Sequence, residues 1–328
     1  MKISIIIPVY NSSLTLKECM DAVFNSNFKN FEVIVISDNS SDNSVRIAEK
    51  YKCKIIELPE NKGPAFARNE GAKVAGGDIL LFLDSDVVIK KDALNHISEN
   101  FFDNAVDAIQ GIYSHKPTYK NMATQYQQSY TLYYIWPENK KYASTLSTCC
   151  FAIRKKIFTE FKGFDTNIKR ATCEDEIFGY ELINKGYKIL ILRDLNVEHR
   201  VHYTIKHFIK RTFNRYTSHM KFYLRSKAYV NKIKQTNYLK VLVGIPILGL
   251  IMLSIFLTLF FANKVILLIF LILNIIFLLL HRDFIRFVGR TKGIHKALGI
   301  TAICYLDTFM MLTGMFFGIL SYYLGKKY

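Results

Sequence analysis

The stretch Ile79–Ile89, "ILLFLDSDVVI", places five apolar residues in front of two aspartates separated by one serine. A short continuous apolar run of this kind reads as a strand buried on both faces. A carboxylate at the closed end of such a strand is costly to desolvate unless a cation or a hydrogen-bond donor meets it. A positive partner is therefore expected beside Asp84 and Asp86.

Upstream, "KISIIIPV", "FEVIVIS" and "KIIEL" are further apolar runs, and helical patterns near Leu14–Ser26, Asp42–Lys50 and Gly63–Val74 separate them. Strands alternating with helices of one to four turns indicate parallel pairing with both sheet faces covered, a doubly wound α/β domain. In such sheets ligands bind beyond the carboxyl ends of the strands. "PVYN", "SDNSSD" and "DSD" all fall there, so three polar clusters at one edge make a site. From about Leu146 the pattern is mixed: "STCCFAIRK", "FKGFD", then "CEDEIFGYELINKGYKILIL", a helix opening on acids and ending near Gly186 before another strand.

The chain has 328 residues, a net charge of +17 and 50% hydrophobic residues, an unusual pairing that suggests two parts averaged together. The charge is concentrated. Arg200 to Lys240 holds eleven Lys or Arg and no Asp or Glu. Six cysteines show no metal-type spacing and read as reduced thiols of a cytoplasmic domain. Pro8 and Asn11 interrupt the first apolar run early, so "MKISIIIPVYN" reads as a first strand and not as a signal peptide.

After Lys240 the chemistry changes. Val241–Ala262 carries no charge, and at ~1.5 Å per residue it spans the ~30 Å hydrocarbon core. Val265–Leu280 is apolar apart from Asn274 but short for a span. "HRDFIRFVGRTKGIHK" (281–296) then interleaves Arg and Lys with apolar residues, as an interfacial helix does. Ala297–Gly325 is apolar again except for Asp307. The expected organisation is a catalytic domain over 1–215, a basic juxtamembrane segment over 216–240, and a transmembrane region over 241–328 with two to three helices and the interfacial helix at 281–296. The positive-inside rule then places the α/β domain on the cytoplasmic face of the cell membrane, in a multi-pass protein.

"SIIIPVYN", "VIVISDNSSDNS", "ENKGPAFARNEG", "LLFLDSD", "CCFAIRKKIFTEFKGFD" and "CEDEIFGYELINKGYKI" occur in the order and spacing of glycosyltransferase family 2, and the resemblance covers about Lys2 to Arg215. It implies the GT-A fold, a Rossmann-like and mostly parallel sheet, and inverting transfer of a sugar from a nucleotide-sugar donor with a divalent metal, Mg²⁺ or Mn²⁺. Uridine donors are the commonest in the family, which makes a UDP-sugar the starting expectation. The resemblance implies Asp86 as metal ligand, with Asp84 nearer the ribose or sharing the metal and Ser85 between them; His199 is a further metal ligand in some members. Asp38 corresponds to the aspartate that accepts hydrogen bonds from the nucleobase, and Pro8, Tyr10 and Asn11 to the loop that packs on the base. Gly63 and Arg68 fall at the diphosphate, where a planar guanidinium neutralises charge. Asp175 corresponds to the base that takes the acceptor's proton, with Glu174 positioning it.

Each of these residues also has a plainer reading. Asp84 and Asp86 suit a strand-end turn, Asp42 an Asx turn, and Glu174–Glu176 a helix N-terminus favoured by the macrodipole. The aromatic "QYQQSYTLYYIWPE" (125–138) suits an acceptor cradle, a membrane interface or ordinary packing. Trp136 is the only tryptophan, and the Q-x-x-R-W motif of processive synthases is absent, which favours transfer of a single sugar. The basic stretch beside an apolar segment suits anionic membrane lipids and a lipid-linked or surface-glycan acceptor, and no nucleic acid. Two competitors stay open. One is a polyprenyl-phosphate glycosyltransferase, whose already ionised acceptor has less need of a base. The other is a silent membrane scaffold or glycan-binding subunit, which has no use for Asp84, Asp86 and Asp175.

Overall fold

The computed structural model describes residues 1–102, 106–116, 118–168, 172–226, 247–252, 254 and 264–325. The expected span Val241–Ala262 and the basic segment beyond residue 226 lie largely outside these residues. The chain divides into two compact units. The first comprises Met1–Tyr119 and Ile135–Val201, the second Lys120–Tyr134 and His202–Tyr328.

Eight strands run through the first unit: β1 (Ile3–Val9), β2 (Phe31–Ser37), β3 (Lys54–Glu57), β4 (Ile79–Leu83), β5 (Val87–Val88), β6 (Ala108–Tyr113), β7 (Cys150–Arg154) and β8 (Ile189–His199). Helices are α1 (Leu16–Phe24), α2 (Ser44–Ala48), α3 (Pro64–Val74) and α4 (Ala93–Phe102), then α5 (Met122–Tyr130) in the second unit, then α6 (Lys155–Glu160) and α7 (Glu174–Asn184). The second unit continues with α8 (Ile205–Ser226), α9 (Lys264–Lys292) and α10 (Ile294–Tyr323).

The strand order is β3-β2-β1-β4-β7-β6-β8-β5. The first four strands pair in parallel, in keeping with the continuous apolar runs in β1, β2 and β4, and every residue of β4 is buried. The second half is mixed. β7 is antiparallel to both β4 and β6, β8 is parallel to β6, and β5 is antiparallel to β8. The sheet is thus a mixed one whose parallel character is confined mainly to its N-terminal half.

The opening stretch holds a second, unexpected strand beyond the aspartates. β4 and β5 are joined by Asp84, Ser85 and Asp86, yet stand four places apart in the strand order. In a flat sheet four strand spacings amount to ~19 Å, whereas four residue steps reach about 14 Å. The sheet must therefore curl, and the acidic tripeptide is where it closes on itself.

In the second unit, α9 and α10 are the two described helices long and apolar enough to cross a membrane. α9 runs unbroken from the apolar Val265–Leu280 through Arg282, Arg286 and Arg290, so the separate basic helix expected over 281–296 does not form. The break falls at Gly293 (φ 93°), a left-handed conformation that suits glycine, and α10 begins directly after it. Part of the aromatic segment near 125–138 is packed within the second unit. Tyr126, Tyr130 and Tyr134 are buried, and with Tyr133 they surround the Phe284 ring of α9.

Candidate active site

Parallel pairing of β1, β2 and β4 brings their carboxyl ends to one edge, Val9 being paired with Ser37 and Ile6 with Phe82. The loops beyond these ends enclose a cleft of about 380 Å³. Of the expected site residues, Pro8, Tyr10, Asp38, Gly63, Arg68, Asp84, Ser85 and Asp86 line it. Asn11, Glu174, Asp175 and His199 stand outside its lining.

Arg68 answers the question set by the acidic tripeptide. It projects from the second turn of α3 and is 4% exposed. One terminal nitrogen donates to Asp84 Oδ1 at 2.8 Å, the other to Glu174 Oε1 at 3.2 Å. Burial alone would push the guanidinium's pKa down, but the charges of Asp84 and Glu174 outweigh it and hold the pKa above its ordinary value. The planar fork is thereby spent mainly on carboxylates. Only its buried Nε makes no hydrogen bond among the described residues.

Asp38 is equally committed. Its two carboxylate oxygens accept the backbone N–H groups of Lys62 and Gly63, each at 2.8 Å. This fixes the entry to α3, where Gly63 takes a φ of 90° that favours glycine and Pro64 supplies the first helical turn. Asp38 therefore sets the position of Arg68 through the backbone. Asn11 has a comparable holding role, its Oδ1 accepting the N–H of Ser41 at 2.8 Å, while Tyr10 stands 55% exposed at the rim. Asp42 makes the expected Asx turn. Burial opposes its charge, but the hydrogen bonds from Ser44 and Ser13 prevail and bring its pKa down to about 2.

Asp86 faces His199, with Oδ1 3.4 Å from Nε2. Two features hold this pair. Val87 is paired with His199 across β5 and β8, and Arg200 N–H donates to the Asp86 carbonyl at 2.7 Å. The imidazole lies flat on the Tyr113 ring, 4.7 Å between centroids and 7° between planes, and buried Trp136 meets the edge of Tyr113. Asp175 lies in the first turn of α7, where it accepts N–H groups from Glu176 at 2.8 Å and Thr148 at 3.3 Å. The neighbouring cysteines are inert. Burial, with Asp84 nearby, pushes the Cys149 thiol up to about 12, and burial with Asp86 and Asp84 raises that of Cys19. All six cysteines are free, as expected.

Among the described residues no group of three or more His, Cys, Asp or Glu side chains can hold a metal ion unaided. Asp86 and His199 offer one carboxylate and one imidazole beside the cleft, and Asp84 is shared with Arg68. Three contributors escaped the sequence reading. Ser12 joins Ser85 by a 2.8 Å hydroxyl hydrogen bond, Asn61 lines the cleft, and Tyr113 stacks on His199. Ser12 follows directly on "PVYN" and was within reach of that motif; Tyr113 carried no local signal.

Residues 4–161 match the family described as glycosyl transferase family 2. Over 211 residues the chain is 34% identical to the poly(ribitol-phosphate) beta-glucosyltransferase of Bacillus spizizenii, covering 59% of this chain and 31% of that protein. The chain spans about a third of the length of the curated relatives it matches. Among solved structures it resembles the mannosyltransferase PcManGT of Pyrobaculum calidifontis, in complex with GDP-Man and Mn²⁺, with a TM-score of 0.57 and 15% identity over 99% of this chain and 88% of that one. It also resembles residues 1–349 of Staphylococcus aureus TarS in complex with UDP-GlcNAc, with a TM-score of 0.51 and 21% identity over 99% and 93%. These likenesses establish the fold, which is GT-A.

Proposed function

Residues 4–161 form a glycosyltransferase family 2 domain, and on that premise we propose that this chain is an inverting, metal-assisted enzyme. It moves one sugar from a nucleotide-sugar donor to a hydroxyl of a lipid-linked or surface-glycan acceptor at the cytoplasmic face of a membrane. The observation that carries this reading is the Arg68 bridge, which ties the strand-end acid Asp84 to Glu174, the residue beside Asp175, and so links donor cleft and acid cluster.

The nucleoside occupies the cleft between Tyr10 and the Asp38-clamped loop, and its diphosphate extends toward Ser85 and Asp86. Asp86 and His199 would hold a divalent ion such as Mg²⁺ or Mn²⁺. Such an ion offsets the negative charge that collects on the departing diphosphate. Asp175 removes the acceptor hydroxyl proton as that oxygen bonds to the anomeric carbon from the side opposite the donor; the bond to the diphosphate breaks, and the configuration inverts. The backbone N–H groups from Glu176 and Thr148 fix the carboxylate's orientation for that transfer. The donors bound by PcManGT and TarS support the nucleotide-sugar class, and two helices of spanning length and apolarity support membrane association.

The test uses the full chain in detergent, a panel of nucleotide sugars with Mn²⁺, Mg²⁺ or EDTA, and membrane lipids as acceptor. Transfer dependent on metal is expected, and Asp86→Asn and Asp175→Asn are expected to abolish it, the second while still binding nucleotide. Absence of nucleotide binding and of any metal effect across the panel would overturn the reading.

A further inference from the structure

We infer that α10, although long and apolar enough to cross a bilayer, lies in the plane of the membrane surface together with α8, seated on anionic lipid headgroups. This rests on the membrane reading above and sharpens it.

α8 carries Lys206, Lys210, Arg211, Arg215 and Lys221 without one acidic residue. α10 is bound along it through a seam of very close approach. A Cβ added at Gly314 would stand 2.8 Å from the Phe213 carbonyl oxygen, and one at Gly318 would stand 2.8 Å from that of Thr217. Thr217 Oγ1 donates to the Gly314 carbonyl at 3.0 Å, and the Phe213 and Phe317 rings meet. Residues 213, 217 and 220 of α8 meet 314 and 318 of α10 in ascending order, so the two helices advance side by side in the same direction. Buried Asp307 completes the seam: Tyr126 donates its hydroxyl to it at 2.8 Å, and Thr212 and Arg215 are its α8 neighbours.

Were α10 to cross the hydrocarbon, α8 would travel beside it and carry Asn214, Arg215 and Lys221 to the same depth. Charged groups are strongly disfavoured there. A basic amphipathic helix is stable instead at the headgroup boundary, where anionic lipids attract it. The outer face of α10 fits the same placement. Of its exposed large residues, Ile294, Leu298, Phe316, Ile319, Leu320 and Tyr323 fall on one side of the helix, as an in-plane helix requires, and the remaining one, Phe317, is turned toward Phe213 of α8. α9 differs in kind. Val265, Leu267, Leu268, Ile269 and Leu271 are exposed around its apolar half, so lipid solvates most of its circumference if it inserts.

Ile294→Cys and Tyr323→Cys place exposed thiols at the two ends of α10, with Cys53→Ser removing the half-buried native thiol. The full-length variants are labelled in oriented membrane vesicles with a membrane-impermeant maleimide. Labelling of both positions from the same face is the expected result. Labelling from opposite faces would overturn the in-plane placement while leaving the membrane reading intact. Recovery of the protein in the soluble fraction would overturn both, and donor turnover in detergent is measured independently of either.

Discussion

Arg68 is the residue on which the site's electrostatics turn. It compensates two carboxylates, one of them Glu174, which is 3% exposed and accepts one further hydrogen bond, from Thr172 N–H. Removing the guanidinium leaves a buried charge without its cation, a change worth ~3–5 kcal/mol in comparable pairs. Arg68→Met is therefore expected to lower the urea midpoint sharply, and Arg68→Met combined with Glu174→Gln to recover part of that loss, as read in a double-mutant cycle of urea denaturation. Lysine is not an equivalent, since a single ammonium cannot meet two acids as a fork does. At this scale much was legible in the sequence. The strand-end aspartates announced a positive partner because a buried carboxylate demands one, and Arg68 was singled out on its own motif. What the sequence could not show is that the two are each other's answer, because they lie 16 residues apart and meet only once α3 has folded back along the sheet. Tyr113 was invisible for a related reason: its contact with His199 depends on the parallel pairing of β6 with β8.

Among the elements, α7 has the narrowest tolerance. Gly179 faces Leu146 so closely that an added Cβ would stand 2.5 Å from the Leu146 Cβ and 2.9 Å from its backbone nitrogen. Backbone cannot yield as a flexible side chain does, so Gly179→Ala is expected to cost about 1–3 kcal/mol. It is also expected to lower the turnover rate more than donor affinity, because α7 carries Asp175 in its first turn; isothermal titration beside steady-state kinetics separates the two. Periodicity revealed α1, α3, α7 and the first four strands, since each is a long apolar or amphipathic run. β5 was not assigned at all, because two valines after an aspartate are too short a run to read as a strand. The boundary at Lys292 was hidden too. Arg282, Arg286 and Arg290 changed the composition of the segment without changing its helical geometry, and only glycine at 293 ends it.

For the whole molecule, composition suggested two parts, but it could not show that residues 120–134 group with the later of the two units. The chain passes from the first unit to the second at residue 120, returns at 135, and passes again at 202. A form truncated after Val201 would keep α5 while losing Phe208 and Phe284, which pack on its aromatic rings. Such a form is expected to aggregate, and replacing residues 120–134 by a short Gly-Ser linker to restore soluble, monodisperse protein by light scattering. The same threading sets an order of events during biosynthesis. Phe284 leaves the ribosome roughly 150 residues after Tyr130, a wait of about ten to thirty seconds at ordinary elongation rates. Through that interval, in the later part of which every strand of the sheet has already been made, the tyrosines of α5 stand without Phe284, which gives a holding chaperone or the membrane surface itself a definite segment, and a definite time, at which to act.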